Sequence, residues 1–126
     1  VQEPEERDKR EALLKVYIAG PYTKPEPILN VRRVLEVADE LLEAGHVPFV
    51  PHLYHFWHFL SPKPYQTWMD LDFAWLESCD AMIHLPGESS GADAEEAMAA
   101  GLEIPIFESV EEFLAWEGLD LDPGLR

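Results

Sequence analysis

The sequence predicts an α/β fold: a three-layer sandwich around a parallel sheet of four strands, or five, in the order 2-1-3-4. Three observations carry that expectation. Short β-branched or aromatic runs alternate with helix-period segments through four units, the pattern of right-handed strand–helix–strand crossovers. Pro48 and Pro105 fall inside the second and fourth runs, and a strand that lacks a ladder donor belongs at a sheet edge. Turn-forming loops, Gly20-Pro21-Tyr22-Thr23 and Pro86-Gly87-Glu88-Ser89-Ser90-Gly91, follow the first and third runs, the two left for the centre.

Taken in order, residues 1–12 are charged and aperiodic and read as a frayed arm or a short helix. The first strand is Lys15 to Ala19, broken by the Gly20 turn. Gly20 lets the backbone approach a ligand, with Tyr22 and Lys24 hanging over it, unless the cluster is only a tight strand-to-helix turn. From Asn30 to Ala44, Val31, Val34, Leu35, Ala38, Leu41 and Leu42 recur at helical spacing, and Gly45 stops the helix. A second strand runs from His46 to Val50.

Residues 51–65 place His52, His55 and His58 every three residues among Tyr54, Phe56, Trp57 and Phe59. Three such histidines suggest a metal, but they drift around a helix and no fourth ligand stands close by. An aromatic wall that stacks on a flat ligand, with His52 at its entrance, fits better. A plain hydrophobic cluster under a long loop is the alternative. Thr67 with Asp70 fits a capping box that opens a helix to Ser78. On it, Asp72 shares a face with Trp68, Met69, Trp75 and Leu76. A carboxyl buried among indoles would have a raised pKa and suit a general acid, whereas an exposed one would not.

The third strand, Ala81 to Leu85, leads into the Gly87 loop and a small-residue helix. Ser90 with Asp93 fits a capping box that starts this helix at about Gly91. Glu95 then lies just past the first turn, where the helix dipole favours its ionised form. An ionised carboxylate at the mouth of a site is what attack on a sugar carbon requires. The alternative is that Glu95 and Glu96 belong to a solvated face. Glu103 to Phe107 forms the fourth strand. Ser109 or Glu108 starts the last helix, with Val110, Phe113, Leu114 and Leu119 facing inward, and residues 120–126 are a polar tail.

Residues 13–119 thus form one domain, with a flavodoxin-like sheet one strand short. Its switch point falls between the first and third strands, so the two loops face each other across one crevice. At 126 residues with 47% hydrophobic content, four Trp and six Phe, the chain supports a single core and is not disordered. No apolar run approaches the roughly 18 residues of a membrane span. The lone Cys79 excludes an internal disulfide and suits a cytoplasmic location. The net charge of −16, with Arg126 the only Lys or Arg after Lys63, argues against a nucleic-acid polymer as partner and leaves open a small neutral or singly phosphorylated ligand, served by Lys24, Arg32, Arg33 or Lys63.

The series VYIAGPYT, a helix ending in Gly45-His46, Val50-Pro51-His52, DFAWLESCD and SSGADAEEAMAAG resembles the nucleoside 2-deoxyribosyltransferase superfamily, which includes the deoxynucleoside 5′-monophosphate N-glycosidases. The resemblance covers roughly residues 15–107 through order and spacing, without one specific motif. It implies a flavodoxin-like fold and chemistry at an N-glycosidic bond, with a small nucleoside or nucleotide as partner. It also implies that no metal or organic cofactor is needed, and a homodimer or larger homo-oligomer.

By position, the resemblance makes Glu95 the nucleophile, Asp72 its acidic partner and Tyr17 the residue touching the nucleophile. Tyr22 becomes the aromatic residue after the first loop, and His52 the histidine after the second strand. Gly20, Lys24, Gly87, Ser90 and Gly91 would complete the binding loops. Ser89 stands where nucleotide hydrolases carry a phosphate-binding serine. The first loop, however, has Pro21-Tyr22-Thr23-Lys24 in place of their Gly-rich, Arg-bearing sequence.

Overall fold

The computed structural model describes residues 13–120; the expected arm at 1–12 and the tail beyond 120 lie outside them. Four parallel strands form one sheet in the order β2-β1-β3-β4: β1 Lys15–Ala19, β2 Val47–Phe49, β3 Ala81–His84 and β4 Ile106–Phe107. The expected order is therefore the observed one, with both proline-bearing segments at edges.

Period-2 alternation along β1 separates the two sides of the sheet. Val16 and Ile18 pack with Val34, Val37 and Leu41 of α1 (Pro27–Glu43) and with Val110 and Phe113 of α5 (Val110–Asp120). Tyr17 and Ala19 face the other side, against Leu76 of α3 (Tyr65–Leu76) and Ala92 and Ala99 of α4 (Ser90–Gly101). Small residues on α4 let it approach the sheet closely, which brings Glu95 near β1. On α5, Val110 and Phe113 face inward and Leu114 is half-buried, while the Leu119 side chain lies outside the described residues.

Several boundaries differ from the sequence reading, each for a local reason. α1 begins at Pro27 instead of Asn30, because the Glu26 carboxylate accepts the Ile28 N–H at 2.8 Å and Pro27 has no donor to leave unpaired. β2 starts at Val47 because the His46 N–H still bonds back to the Leu41 carbonyl. β3 ends at His84, one residue before Leu85. α3 begins at Tyr65 without a side-chain cap; extended Pro64 sets its start and Thr67 instead donates its N–H to the Pro64 carbonyl. α4 is capped by Ser89, whose Oγ accepts the Ala92 N–H at 3.1 Å, so Ser90 is already helical.

The fourth strand shrinks to two residues. Glu103 turns the chain at a φ of 62°, and Pro105 contributes only a carbonyl, which accepts the Met82 N–H. Residues 51–65 do not form a long loop. They fold as a 3₁₀ turn, Pro51–Leu53, followed by a short helix, α2, at Tyr54–Leu60, in which no residue is fully buried.

Candidate active site

A cleft of about 770 Å³ opens beyond the carboxyl ends of β1 and β3 and is covered on one side by α2 and α3. Two buried carboxyls that line it, Glu95 and Asp72, come together with Tyr17, which lies behind the lining and bonds to one of them. Tyr17 on β1 is fully buried and donates its O–H to Glu95 Oε2 at 2.8 Å. Glu95 on α4 and Asp72 on α3 are both buried, at 6% and 7% exposure, and both line the cleft. Asp72 points inward on the same stripe as Met69 and Leu76, so the packing of α3 delivers its carboxyl to the cleft. Its Oδ1 has no hydrogen-bond partner among the described residues, an unusual state for a buried oxygen. Glu96 is half-buried, hydrogen-bonds to His84 Nδ1 and does not line the cleft.

Burial sets the electrostatics of this group. Desolvation pushes the Glu95 carboxyl up, and neighbouring Asp72 pushes it further, against the favourable O–H of Tyr17. Desolvation also raises Asp72, partly offset by contacts with Glu95 and Tyr17. Tyr17 is raised by burial and by the charges of both carboxyls, so it stays a donor. The expectation that the helix dipole keeps Glu95 ionised is therefore reversed. A dipole contributes about 0.3–1 kcal/mol, whereas each pKa unit of desolvation costs about 1.4 kcal/mol and buried groups shift by several. The two carboxyls titrate as a pair, and the proton they retain belongs to both.

The wall is aromatic, as expected, but its parts are arranged differently. His52 is not at the entrance. It is buried beneath the β1–α1 loop, where its Nε2 lies 3.0 Å from the Pro21 carbonyl, which can only accept, so the ring proton is on Nε2. Burial lowers its pKa, with Arg33 adding to the effect. The loop above is pinned by Asn30, whose amide donates to the Tyr22 and Lys24 carbonyls, both at 2.9 Å. Tyr22 lies flat on His55, with centroids 3.3 Å apart and planes at 6°. Burial, then His52 and His58, push His55 down to about 4. The described residues hold no group of three or more His, Cys, Asp or Glu side chains able to bind a metal.

Gly20, Ser89, Ser90 and Gly91 line the cleft, as does Lys24, whose exposed ammonium lies 4.0 Å from Glu88 Oε1. Gly87 does not line it. Its φ is +132°, and a Cβ there would meet Pro21 Cγ at 2.5 Å, so this glycine packs the two loops together instead of touching a ligand. His55, His58, Lys63, Tyr65 and Trp68 also line the cleft. The sequence reading considered the two histidines as metal ligands or wall, and counted Lys63 with Lys24, Arg32 and Arg33 among the cations that could serve a phosphorylated ligand. The helical spacing of His52, His55 and His58 beside Trp68 was the available signal.

A family model described as "Domain of unknown function (DUF7768)" matches residues 14–109. The chain belongs to the DUF7768 family. No curated protein matches it in sequence. Among solved structures, this DUF7768 chain is similar to the 2-deoxyribosyltransferase from the psychrotolerant bacterium Bacillus psychrosaccharolyticus. They share 20% identity and a TM-score of 0.53, over 73% of this chain and 69% of that one. At that identity the likeness concerns the fold.

Proposed function

We propose that this DUF7768 domain cleaves or transfers the N-glycosidic bond of a deoxynucleoside or nucleoside 5′-monophosphate. The observation that carries the reading is a buried Glu95 held by Tyr17 at 2.8 Å, with Asp72 beside it in the same cleft. Distant structural similarity to a 2-deoxyribosyltransferase is consistent with it.

In the productive protonation state, Asp72 carries the pair's proton and Glu95 is the anion, stabilised by the Tyr17 O–H. A Glu95 oxygen attacks the anomeric carbon as the C–N bond breaks, through an oxocarbenium-like transition state, and Asp72 gives its proton to the departing base. Ionised Asp72 then takes a proton from water as the water attacks the glycosyl ester, releasing free sugar and restoring Glu95. Transfer replaces that water with a second base. The aromatic wall, with Tyr22 at its edge, offers stacking for the base. No metal or organic cofactor enters these steps.

One observation favours a second reading, a nucleotide-binding module without turnover. With its pKa raised by burial, Glu95 in an empty cleft donates a hydrogen bond instead of attacking. Deoxynucleosides and their monophosphates, screened for released base, separate the two. Hydrolase or transferase chemistry predicts release by the unaltered chain, its loss in Glu95→Ala and its survival in Glu96→Ala. Ligand binding without release in any variant supports the binding module.

A further inference from the structure

We propose that Lys63, with His58 beside it, forms an anion subsite on the α2–α3 side of the cleft, and that this subsite takes a phosphate monoester. The inference rests on the glycosidic reading for the rest of the ligand, and it names the side of the cleft on which a substrate's phosphate would sit.

Lys63 is a half-buried cation lining the cleft, and among the described residues its ammonium bonds only to the neutral Ser61 Oγ, at 3.0 Å. No carboxylate of the described residues pairs with it. That absence has meaning in a chain with 25 acids against 9 Lys and Arg. A partly desolvated ammonium without a counter-charge is unfavourable by itself and is relieved by an incoming anion. Two of its three N–H donors have no partner among the described residues.

The surroundings are built to hold it in place. Pro62 and Pro64 flank Lys63 and restrict its backbone, which lowers the ordering cost of binding. Both the Lys63 backbone N–H, at 3.2 Å, and the Trp68 indole N–H, at 2.9 Å, donate to His58 Nδ1. The His58 ring proton therefore sits on Nε2, a second donor on this wall. Ser61 accepts from Lys63, which leaves its own O–H to donate.

The other wall is less suited to a dianion: beside Ser89, Ser90 and Gly91 it carries the carboxyls of Glu88, Asp93 and Glu95. Lys24 is more exposed, and Glu88 at 4.0 Å offsets part of its charge. The cleft is thus acidic around α4 and cationic around the α2–α3 connection.

Calorimetric titration of the full chain at fixed ionic strength tests this, with a deoxynucleoside, its 5′-monophosphate and inorganic phosphate as separate probes. The monophosphate should bind more tightly than the nucleoside. Lys63→Met should shrink that preference by roughly 10- to 100-fold, as expected for a charge-assisted bond, and Lys63→Arg should restore most of it. Inorganic phosphate competing with the monophosphate, and weakened by the same variant, marks a free-phosphate source for the subsite as well. Equal affinity for nucleoside and monophosphate overturns the inference, as does a preference lost in Lys24→Met but kept in Lys63→Met. Lys63-dependent binding without base release leaves the subsite standing and removes the glycosidic reading.

Discussion

At Glu95, desolvation and the Tyr17 hydrogen bond pull in opposite directions, and desolvation wins. The consequence for stability follows from linkage. The folded chain holds a proton at Glu95 at pH values where the unfolded chain has released it. Stability should therefore fall as pH rises from the ordinary value of 4.5 toward the raised one. Glu95→Gln removes the titration and also relieves Asp72. It should stabilise the fold at pH 8 by at least about 1.4 kcal/mol, one pKa unit of linkage, with little gain at pH 4. Denaturant melts at the two pH values measure it; an equal effect at both would show that Glu95 is not held protonated. Glu95 and Asp72 could be picked out from the sequence because each sits on a helix stripe with small or apolar neighbours. Their raised pKa values could not, since these come from three elements closing around them.

At the scale of elements, the site depends on two loops meeting above the sheet. Gly87, at a φ of +132° and against Pro21, is the contact that joins them. Gly87→Ala should cost about 1–3 kcal/mol, from backbone strain and from the displaced proline ring. It should also shift the Tyr22 environment, which unfolding curves and aromatic near-ultraviolet dichroism would report. An unchanged midpoint would mean that the loops do not lock in this way. The strand order was legible because proline in a strand has one physical meaning. The helix starts were less so: Ser90–Asp93 and Thr67–Asp70 both matched a capping pattern, yet Ser89 caps α4 and Pro64 fixes the start of α3. A short pattern does not specify which of two adjacent serines turns extended.

At the scale of the whole molecule, α2 leaves a run of large apolar side chains uncovered among the described residues. Phe56, Phe59 and Leu60 are 63%, 74% and 89% exposed, so they do not fold back as a lid over the cleft. Tyr54 of the same helix instead stacks with Trp68, centroids 5.7 Å apart, in the cleft wall. Contiguous exposed rings of this kind mark contact surfaces, and we expect a symmetric dimer formed through α2. The net charge of −16 opposes association, less so at physiological salt, where screening acts beyond about 8 Å. Light scattering across micromolar concentrations should give twice 14.4 kDa, and Phe59→Ser should return the single mass. A single mass for the unaltered chain would rule the dimer out. No described helix is long and apolar enough to cross a membrane, so this surface is not a span.

In the proposed mechanism a Glu95 carboxylate oxygen forms the ester of a covalent glycosyl intermediate. The most direct measurement is rapid acid quench of the chain with a 2′-deoxynucleoside 5′-monophosphate, followed by peptide mapping by mass spectrometry. An ester-linked deoxyribosyl phosphate should appear on the peptide carrying Glu95 and be absent in Glu95→Gln, while Asp72→Asn, which slows both formation and hydrolysis of the ester, should form it more slowly and keep it longer. Base release that proceeds with no adduct at any quench time, or with an adduct on a different residue, would contradict the mechanism.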